Sequence, residues 1–230
     1  MTPEEITVVV LSLKVALVAT LFCLPLAVAL AFVLARKNFP GKALLSALTF
    51  VPLLLPPVVT GYLLLAAFGR TGFIGAPLYN WLGLTIAFKW TGAALAAAVM
   101  ALPIMMQPIR VAFELSDPEL EEAARDLGAS ALQRFFTITL PLAAPGVIAA
   151  GVLGFVKSLG EFGATITFVS NIPGETQTLA LAIYSLLQTP SGDAAASRLI
   201  WLSIALALAA VLLADVFSRR MRRGRSISEI

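Results

Sequence analysis

The chain has 230 residues, of which 59% are hydrophobic and 13% are charged, and its formal net charge is +3. The charged fraction is about half that of an average soluble domain, and a chain this short would leave large apolar patches exposed in water. With no His and a single Cys, Cys23, the usual zinc sites, His-based triads and internal disulfides are excluded. The composition therefore predicts a membrane protein, and no charge pattern favours nucleic-acid binding.

The predicted fold is all-α, with about five transmembrane helices. A membrane helix needs roughly 20 apolar residues, and four stretches meet that length easily: residues 8–35, 43–68, 86–109 and 199–217. A fifth span is expected at 140–159, although Pro141, Pro145 and Lys157 interrupt it. It should run on into irregular backbone that is buried in protein or lines a wet cavity. The stretch 178–187 is too short to cross and is expected at one face.

Basic residues set the predicted orientation, because Lys and Arg accumulate in cytoplasmic loops. With an external N-terminus, five spans place eleven of the 16 Lys and Arg residues in the cytoplasm, including the five arginines of the C-terminal tail 218–230. Arg70, Lys89 and Arg198 fall outside. The N-terminus is therefore predicted outside and the C-terminus in the cytoplasm, where the basic tail is expected to contact anionic membrane lipid.

The cytoplasmic segment 114–137 has the pattern of a helical elbow. Asp117 or Ser116 is placed to cap a short helix, whose first turns are acidic, and Gly128 is placed to end it. A second helix is expected to begin near Ser130 and to lead up to the membrane. Such an elbow between two spans would project as a knob.

The spacing inside this segment carries a resemblance. Glu122-Ala123-Ala124 is followed after three residues by Gly128, and after nine more by Ile138-Thr139-Leu140-Pro141. This pattern resembles the EAA signature of ABC-importer permease subunits at every defining position. In that family, the resemblance implies, the two short helices dock into a groove of a separate ATPase and transmit its closure to the spans. The residues to which it assigns this coupling are Glu122, Ala123, Ala124, Gly128, Leu140 and Pro141.

The resemblance extends along nearly the whole chain. Residues 39–42, 54–59, 72–75, 135–141 and 158–166 are similar to the molybdate-transport permease family of bacterial ABC importers. The resemblance implies the type I, MetI-like permease fold and a place in the bacterial cytoplasmic (inner) membrane. Sulfate and thiosulfate permeases share much of this layout, and tungstate matches molybdate in size and charge, so a permease for one of these oxyanions is the alternative within the class.

The same resemblance implies the partners. An ABC importer uses two ATPase subunits and this chain has one coupling element, so a homodimer with the path on its two-fold axis is expected. The implied assembly adds two ATPase subunits and one external molybdate-binding protein, and no cofactor. The chain lacks a Gly-x-x-x-x-Gly-Lys-Ser/Thr loop, so ATP hydrolysis is expected on the partner and the chain is not expected to be an enzyme.

Prolines and intramembrane charges mark the candidate pathway. Pro56 and Pro57 should kink or break the second span, as in transport helices that line a path, and a simple packing kink is the alternative. Lys157 and Glu161 are four residues apart and could face each other on one helical turn. They form either a structural pair or part of the anion path. The candidate pathway or gate residues are Pro56, Pro57, Ser158, Glu161 and Thr165.

Two further interpretations belong to other classes. The acids between residues 114 and 126 would have to hold a metal if the chain were a membrane-embedded enzyme, although their spacing lacks the pattern of a calcium loop. A structural or receptor-like bundle would have no ATPase partner. For the importer, residues 171–176 form an external turn that is a plausible docking surface for the binding protein.

Overall fold

A computed structural model describes residues 2–190 and 192–226, with side chains described up to residue 213 in the last helix. The predicted basic tail 218–230 lies outside the described side chains. The helices are α1 (Pro3–Arg36), α2 (Lys42–Leu54), α3 (Pro57–Phe68), α4 (Gly75–Leu82), α5 (Trp90–Leu115), α6 (Pro118–Asp126), α7 (Ala131–Arg134), a π-helical segment (Phe135–Thr139), α8 (Leu140–Leu159), α9 (Gly163–Val169), α10 (Leu179–Leu187) and α11 (Asp193–Ser226).

Four of these helical units are long and apolar enough to cross a membrane: α1, α5, the continuous helix 131–159 and residues 193–213 of α11. α2 and α3 pass the same test together, with a bend of 108° between them. The predicted all-α fold with four or five apolar spans is confirmed. The orientation of the termini stays a prediction.

The second predicted span, 43–68, is broken. α2 ends at Leu54 and α3 begins at Pro57. Leu55 is extended, with φ −79° and ψ 147°, as expected for a residue before a proline. Pro56 and Pro57 have no backbone N–H to continue the hydrogen bonds of α2. The two prolines therefore produce a sharp corner, and the stretch is not one straight helix.

α5 is the centre of the bundle. In the most apolar 18-residue window of α5, 61% is buried inside the protein, whereas the corresponding share for α11 is 11%. Its buried face is mostly Ala and Met, and it packs against α1, α8 and α9. In lipid there is little hydrophobic drive between helices, so close packing of small side chains has to supply the attraction.

Gly146 shows how close this packing is. A Cβ atom added there would lie 2.5 Å from the Cβ of Ala112 and 2.5 Å from the carbonyl oxygen of Pro108, both on α5. Gly151, on the same helix α8, has nothing within 4 Å of an added Cβ. α8 therefore touches α5 by backbone at Gly146, whereas Gly151 lies in open space.

We predict that Gly146→Ala destabilises the bundle, because the methyl group would collide with backbone that has no room to yield. The expected cost is about 1–3 kcal/mol, read as a fall in Tm of the detergent-solubilised protein. Gly151→Ala is the matched control, and its Tm should stay the same or rise, since alanine favours the helix by roughly 0.5–1 kcal/mol over glycine. Equal Tm values for the two variants would contradict the close α5–α8 contact.

Candidate functional site

The elbow is capped at each end by its own residues. Asp117 Oδ1 accepts a hydrogen bond from the Glu119 amide at 2.9 Å, which starts α6. Gly128 has φ +86°, a left-handed conformation that glycine adopts without steric cost. The Gly128 amide donates to Arg125 O at 2.9 Å, and the Ala129 amide donates to Ala124 O at 3.0 Å. These two bonds form a Schellman-type turn that ends the helix.

The second half of the elbow continues into the membrane. Ser130 Oγ accepts from the Gln133 amide at 3.2 Å and caps α7. α7, the π-helical segment and α8 then follow without a break. Leu140 and Pro141 form the first turn of α8, and the Leu140 amide donates to Phe135 O, five residues earlier. The short helix after Gly128 and the span 140–159 are thus one continuous rod.

The surface of the elbow is open. No residue of α6 is buried, and Glu122, Ala123 and Gly128 are exposed. Leu127, next to the glycine, has 89% of its surface accessible. An exposed leucine and a slim alanine face are poorly covered by the rest of this chain. The elbow is therefore a surface that the described part of this chain leaves exposed.

A cavity of about 640 Å³ lies between this elbow and the end of α1. Its lining includes Phe32 and Arg36 of α1, Glu121 of α6, and Arg134 of α7. Arg36 forms an ion pair with Glu121 across 3.1 Å. The sequence carries no signal of this contact, because the two residues are 85 positions apart along the chain.

On the bundle, α3 packs against α9, and glycines make the contact close. A Cβ at Gly61 would lie 2.5 Å from Ala164 O, and one at Gly163 would lie 2.7 Å from the Cβ of Pro57. Thr165, one residue after Ala164, is buried. The structure therefore brings Pro57 next to α9. That helix contains Thr165 and begins two residues after Glu161. Pro56 lies at the exposed corner before α3.

Glu161 joins α8 to α9. Its side chain is only 3% exposed. Oε2 pairs with the Lys157 ammonium at the end of α8, and Oε1 accepts from the Ala164 amide of α9 at 3.1 Å. A buried carboxylate needs such partners, because its desolvation is costly otherwise. Both oxygens are therefore used to hold the corner between the two helices.

Two buried hydroxyls in this region have no hydrogen-bond partner among the described residues. They are Ser158 Oγ, three residues before Glu161, and Thr60 Oγ1, next to Gly61. An unsatisfied buried hydroxyl is uncommon and needs an explanation, such as a ligand or water in another state. Ser158 was a candidate from the sequence. Thr60 was not a candidate from the sequence, and its only signal there is its position just after Pro56 and Pro57.

The turn 171–176, which the sequence predicts to be external, is bonded to the residues around it. Ser170 has φ +63°, an unfavourable conformation for a residue with a side chain. Thr176 is fully buried, and its hydroxyl donates to Ser170 O at 3.2 Å and accepts from the Ile172 amide at 2.9 Å. Glu175 Oε1 accepts from the Trp90 amide at the start of α5 at 3.4 Å. The turn thus connects α9 to the first turn of α5.

Comparisons with known proteins agree on the class. The family described as binding-protein-dependent transport system inner membrane component matches residues 24–223. The Molybdenum transport system permease protein ModB of Escherichia coli K12 is 56% identical over 227 residues, which is 98% of this chain and 99% of that protein.

Two solved structures share the fold. A bacterial alginate ABC transporter in complex with an alginate pentasaccharide-bound periplasmic protein gives a TM-score of 0.76 at 20% identity, over 96% of this chain and 80% of that one. The MetNI methionine ABC transporter in an inward-facing conformation gives 0.72 at 17% identity, over 96% and 99%. These likenesses confirm the type I permease fold.

We predict that Lys157→Met destabilises the protein more than the double variant Lys157→Met with Glu161→Gln. The single change leaves a buried carboxylate without its ammonium, which costs about 3 kcal/mol. The glutamine side chain of the double variant would be neutral and would keep an oxygen for the Ala164 amide. The measurement is Tm of the purified protein in nanodiscs.

Arg110→Ala is the control, because Arg110 and Glu114 form an ion pair of the same i,i+4 spacing on the more exposed end of α5. It should cost less than about 1 kcal/mol. A double variant no more stable than Lys157→Met would show that the Lys157–Glu161 pair does not hold the corner.

Proposed function

We propose that this chain, which belongs to the binding-protein-dependent transport system inner membrane component family, is the permease subunit of a bacterial ABC importer for molybdate. The observation that carries the proposal is the 56% identity to a molybdenum transport permease over 98% of the chain. The likeness spans both the elbow and the α3–α9 region. The proposal places the chain in the bacterial inner membrane as a multi-pass, non-catalytic subunit.

The proposed assembly has two copies of this chain, two ATPase subunits and one external binding protein. Each elbow docks into one ATPase, with Glu122, Ala123, Ala124 and Gly128 in or beside the contact. The exposed surface of α6 supports this role, because no residue of that helix is buried in its own chain. The turn 171–176 is the proposed docking surface for the loaded binding protein.

The continuous helix 131–159 gives a mechanical reason for coupling. A helix rises about 1.5 Å per residue, so the 20 residues of α8 extend about 30 Å, the thickness of the hydrocarbon core. One end joins the elbow at Leu140 and Pro141. The other end carries Lys157, whose partner Glu161 holds α9. ATP-driven displacement of the elbows would therefore move α9 against α3.

The α3–α9 contact is the proposed gate. Pro56 and Pro57 form its corner, and Glu161 and Thr165 belong to its other side. A gate for a dianion cannot present a bare carboxylate, and the Lys157 ammonium neutralises Glu161 in this structure. Ser158, with its unpartnered hydroxyl, offers a weak donor. Weak contacts suit a permease, because tight binding would slow the release of the anion.

The competing interpretations predict different observations. A permease for tungstate or sulfate would have the same assembly. It would differ only in which loaded binding protein stimulates ATP hydrolysis. A membrane-embedded metalloenzyme needs a ligand cluster, and among the side chains described, those of residues 2–190 and 192–213, no group of three or more His, Cys, Asp or Glu is placed to hold a metal ion. A bundle without an ATPase partner would leave the exposed elbow unexplained.

We expect ATP hydrolysis by the permease–ATPase complex in liposomes to be stimulated by binding protein loaded with molybdate. The external binding protein is loaded in turn with molybdate, tungstate and sulfate, and uptake of each anion is measured with hydrolysis. Molybdate and tungstate should stimulate, because they share size and charge, and sulfate should stimulate less. Stimulation of ATP hydrolysis by the sulfate-loaded protein alone would indicate a sulfate permease instead. No stimulation by any loaded protein would contradict the oxyanion assignment.

We also expect Gly128→Ala to reduce molybdate uptake, because it strains the turn of the elbow. Left-handed backbone costs a non-glycine residue roughly 1–2 kcal/mol. Gly83→Ala is the matched control: Gly83 has φ +65°, and neither glycine has a neighbouring atom within 4 Å of an added Cβ. Gly83 ends α4, which is far along the chain from the elbow. Equal uptake by the two variants would argue against a coupling role for the Gly128 turn.

A further inference from the structure

We propose that Arg36 is a positioning residue that ties the coupling elbow to α1, so that movement of α6 is transmitted to a second span besides α8. The inference rests on the proposed function, because it assumes that an ATPase moves the elbow. It adds a second mechanical connection, made by one side chain. Neither Arg36 nor Glu121 belongs to the coupling signature.

The Arg36 guanidinium joins three helices. Arg36 is the last residue of α1. Its Nη2 atom donates to Glu121 Oε1 of α6 at 3.1 Å and to the carbonyl oxygen of Ser116 at 3.0 Å. Ser116 is the residue that caps the end of α5. One cation therefore connects the ends of α1 and α5 to the first turn of α6.

α6 needs such a connection, because apolar packing does not hold it. None of its residues is buried, and Leu120 and Leu127 are exposed. A helix of nine residues is too short to be stable alone in water. Its position relative to the bundle therefore depends on its two ends and on polar contacts such as the Arg36–Glu121 pair.

The Arg36–Glu121 ion pair is largely shielded from solvent. The side chains of Arg36 and Glu121 are 18% and 25% exposed, so solvent screens them less than a surface pair. The carbonyl of Ser116 lies at the negative end of the α5 dipole, which favours a cation. Both acceptors bind Nη2, whose two N–H bonds have fixed directions in the guanidinium plane, whereas a lysine ammonium is a point charge on a flexible stem.

The other charges that line this cavity do not duplicate the contact. Arg125 lies 3.8 Å from Asp126, its neighbour in α6. Arg134 donates to Ala129 O at 3.4 Å, within the elbow itself. Lys37 and Glu122 complete the charged lining. Among the described residues, the ion pair that joins α6 to a span is Arg36–Glu121.

The consequence is a rigid frame around the elbow. α7 is continuous with α8, and α6 is tied to α1 and to the end of α5. α1, α5 and α8 in turn pack into one hydrophobic core at this end of the bundle. A push on the elbow then displaces all three spans together, and loss of the tie would leave α6 attached through the Gly128 turn and through the chain before Pro118.

The tie is tested first without transport, by hydrogen exchange of the permease–ATPase complex in nanodiscs. Arg36→Ala should raise the exchange rates of the α6 amides, residues 118–126, about tenfold, as for the loss of a coupling contact of typical strength. The amides of α5 within the same sample report whether the bundle is intact. Arg110→Ala, which removes the Arg110–Glu114 pair on α5, is the control and should leave residues 118–126 unchanged.

Coupling is then measured as molybdate uptake per ATP hydrolysed, with the loaded binding protein outside the liposomes. Arg36→Ala should lower this ratio about tenfold while ATP hydrolysis continues. Arg36→Lys should be intermediate, because it keeps the charge and loses the fixed N–H directions of the guanidinium. The charge swap Arg36→Glu with Glu121→Arg should recover more of the ratio than either single change, which a purely local effect at residue 36 would not do.

The two measurements separate the inference from the proposed function. Wild-type complex that takes up no molybdate would contradict the proposed function, while the exchange experiment would still decide whether the tie exists. Unchanged exchange at residues 118–126 in Arg36→Ala would overturn the tie. A wild-type uptake ratio in Arg36→Ala, or a charge swap no better than the single variants, would overturn its role in coupling.

Discussion

The close approach of α5 to α1 and α8 is the contact on which the rest of this structure depends. Alanine on α5 and glycine on α8 let the backbones come within van der Waals distance, as at Gly146 and Pro108. In lipid this packing replaces the hydrophobic attraction that water would provide. Because closely packed helices deform little, the three spans act as one block, and only elements outside the block are free to move against it.

The broken helices are attached to that block in a different way. α2 and α3 meet at a corner, and α9 is short, so neither α3 nor α9 spans the membrane alone. Backbone groups at such breaks need partners inside the protein. Glu161 satisfies the first turn of α9 and draws its countercharge from Lys157. α8 belongs to the rigid block, and the Lys157–Glu161 pair joins its end to α9. A movement of the end of α8 would therefore move α9 without unfolding either helix.

The parts of this architecture that local residues determine were predictable. Asp117, Gly128 and Ser130 cap their helices as their residue types favour, and the prolines at 56 and 57 break the second span. Contacts between distant residues were not predictable, because one sequence carries no signal for them. Arg36 gives no sign that its partner is Glu121, and Gly61 gives none that it faces Ala164. The 108° bend likewise depends on packing, since proline sets only that a break occurs.

The π-helical segment between α7 and α8 affects which way the elbow faces. Its bonds close five residues apart, as from the Leu140 amide to Phe135 O, which amounts to one extra residue in an otherwise α-helical rod. Each α-helical residue turns the chain by about 100°. The π-helical turn absorbs that residue, so α7, and with it Gly128 and α6, faces as it would from an uninterrupted α-helix with one residue fewer. If the same residues 135–139 closed as α-helix instead, the elbow would be turned by about 100° around the axis of α8.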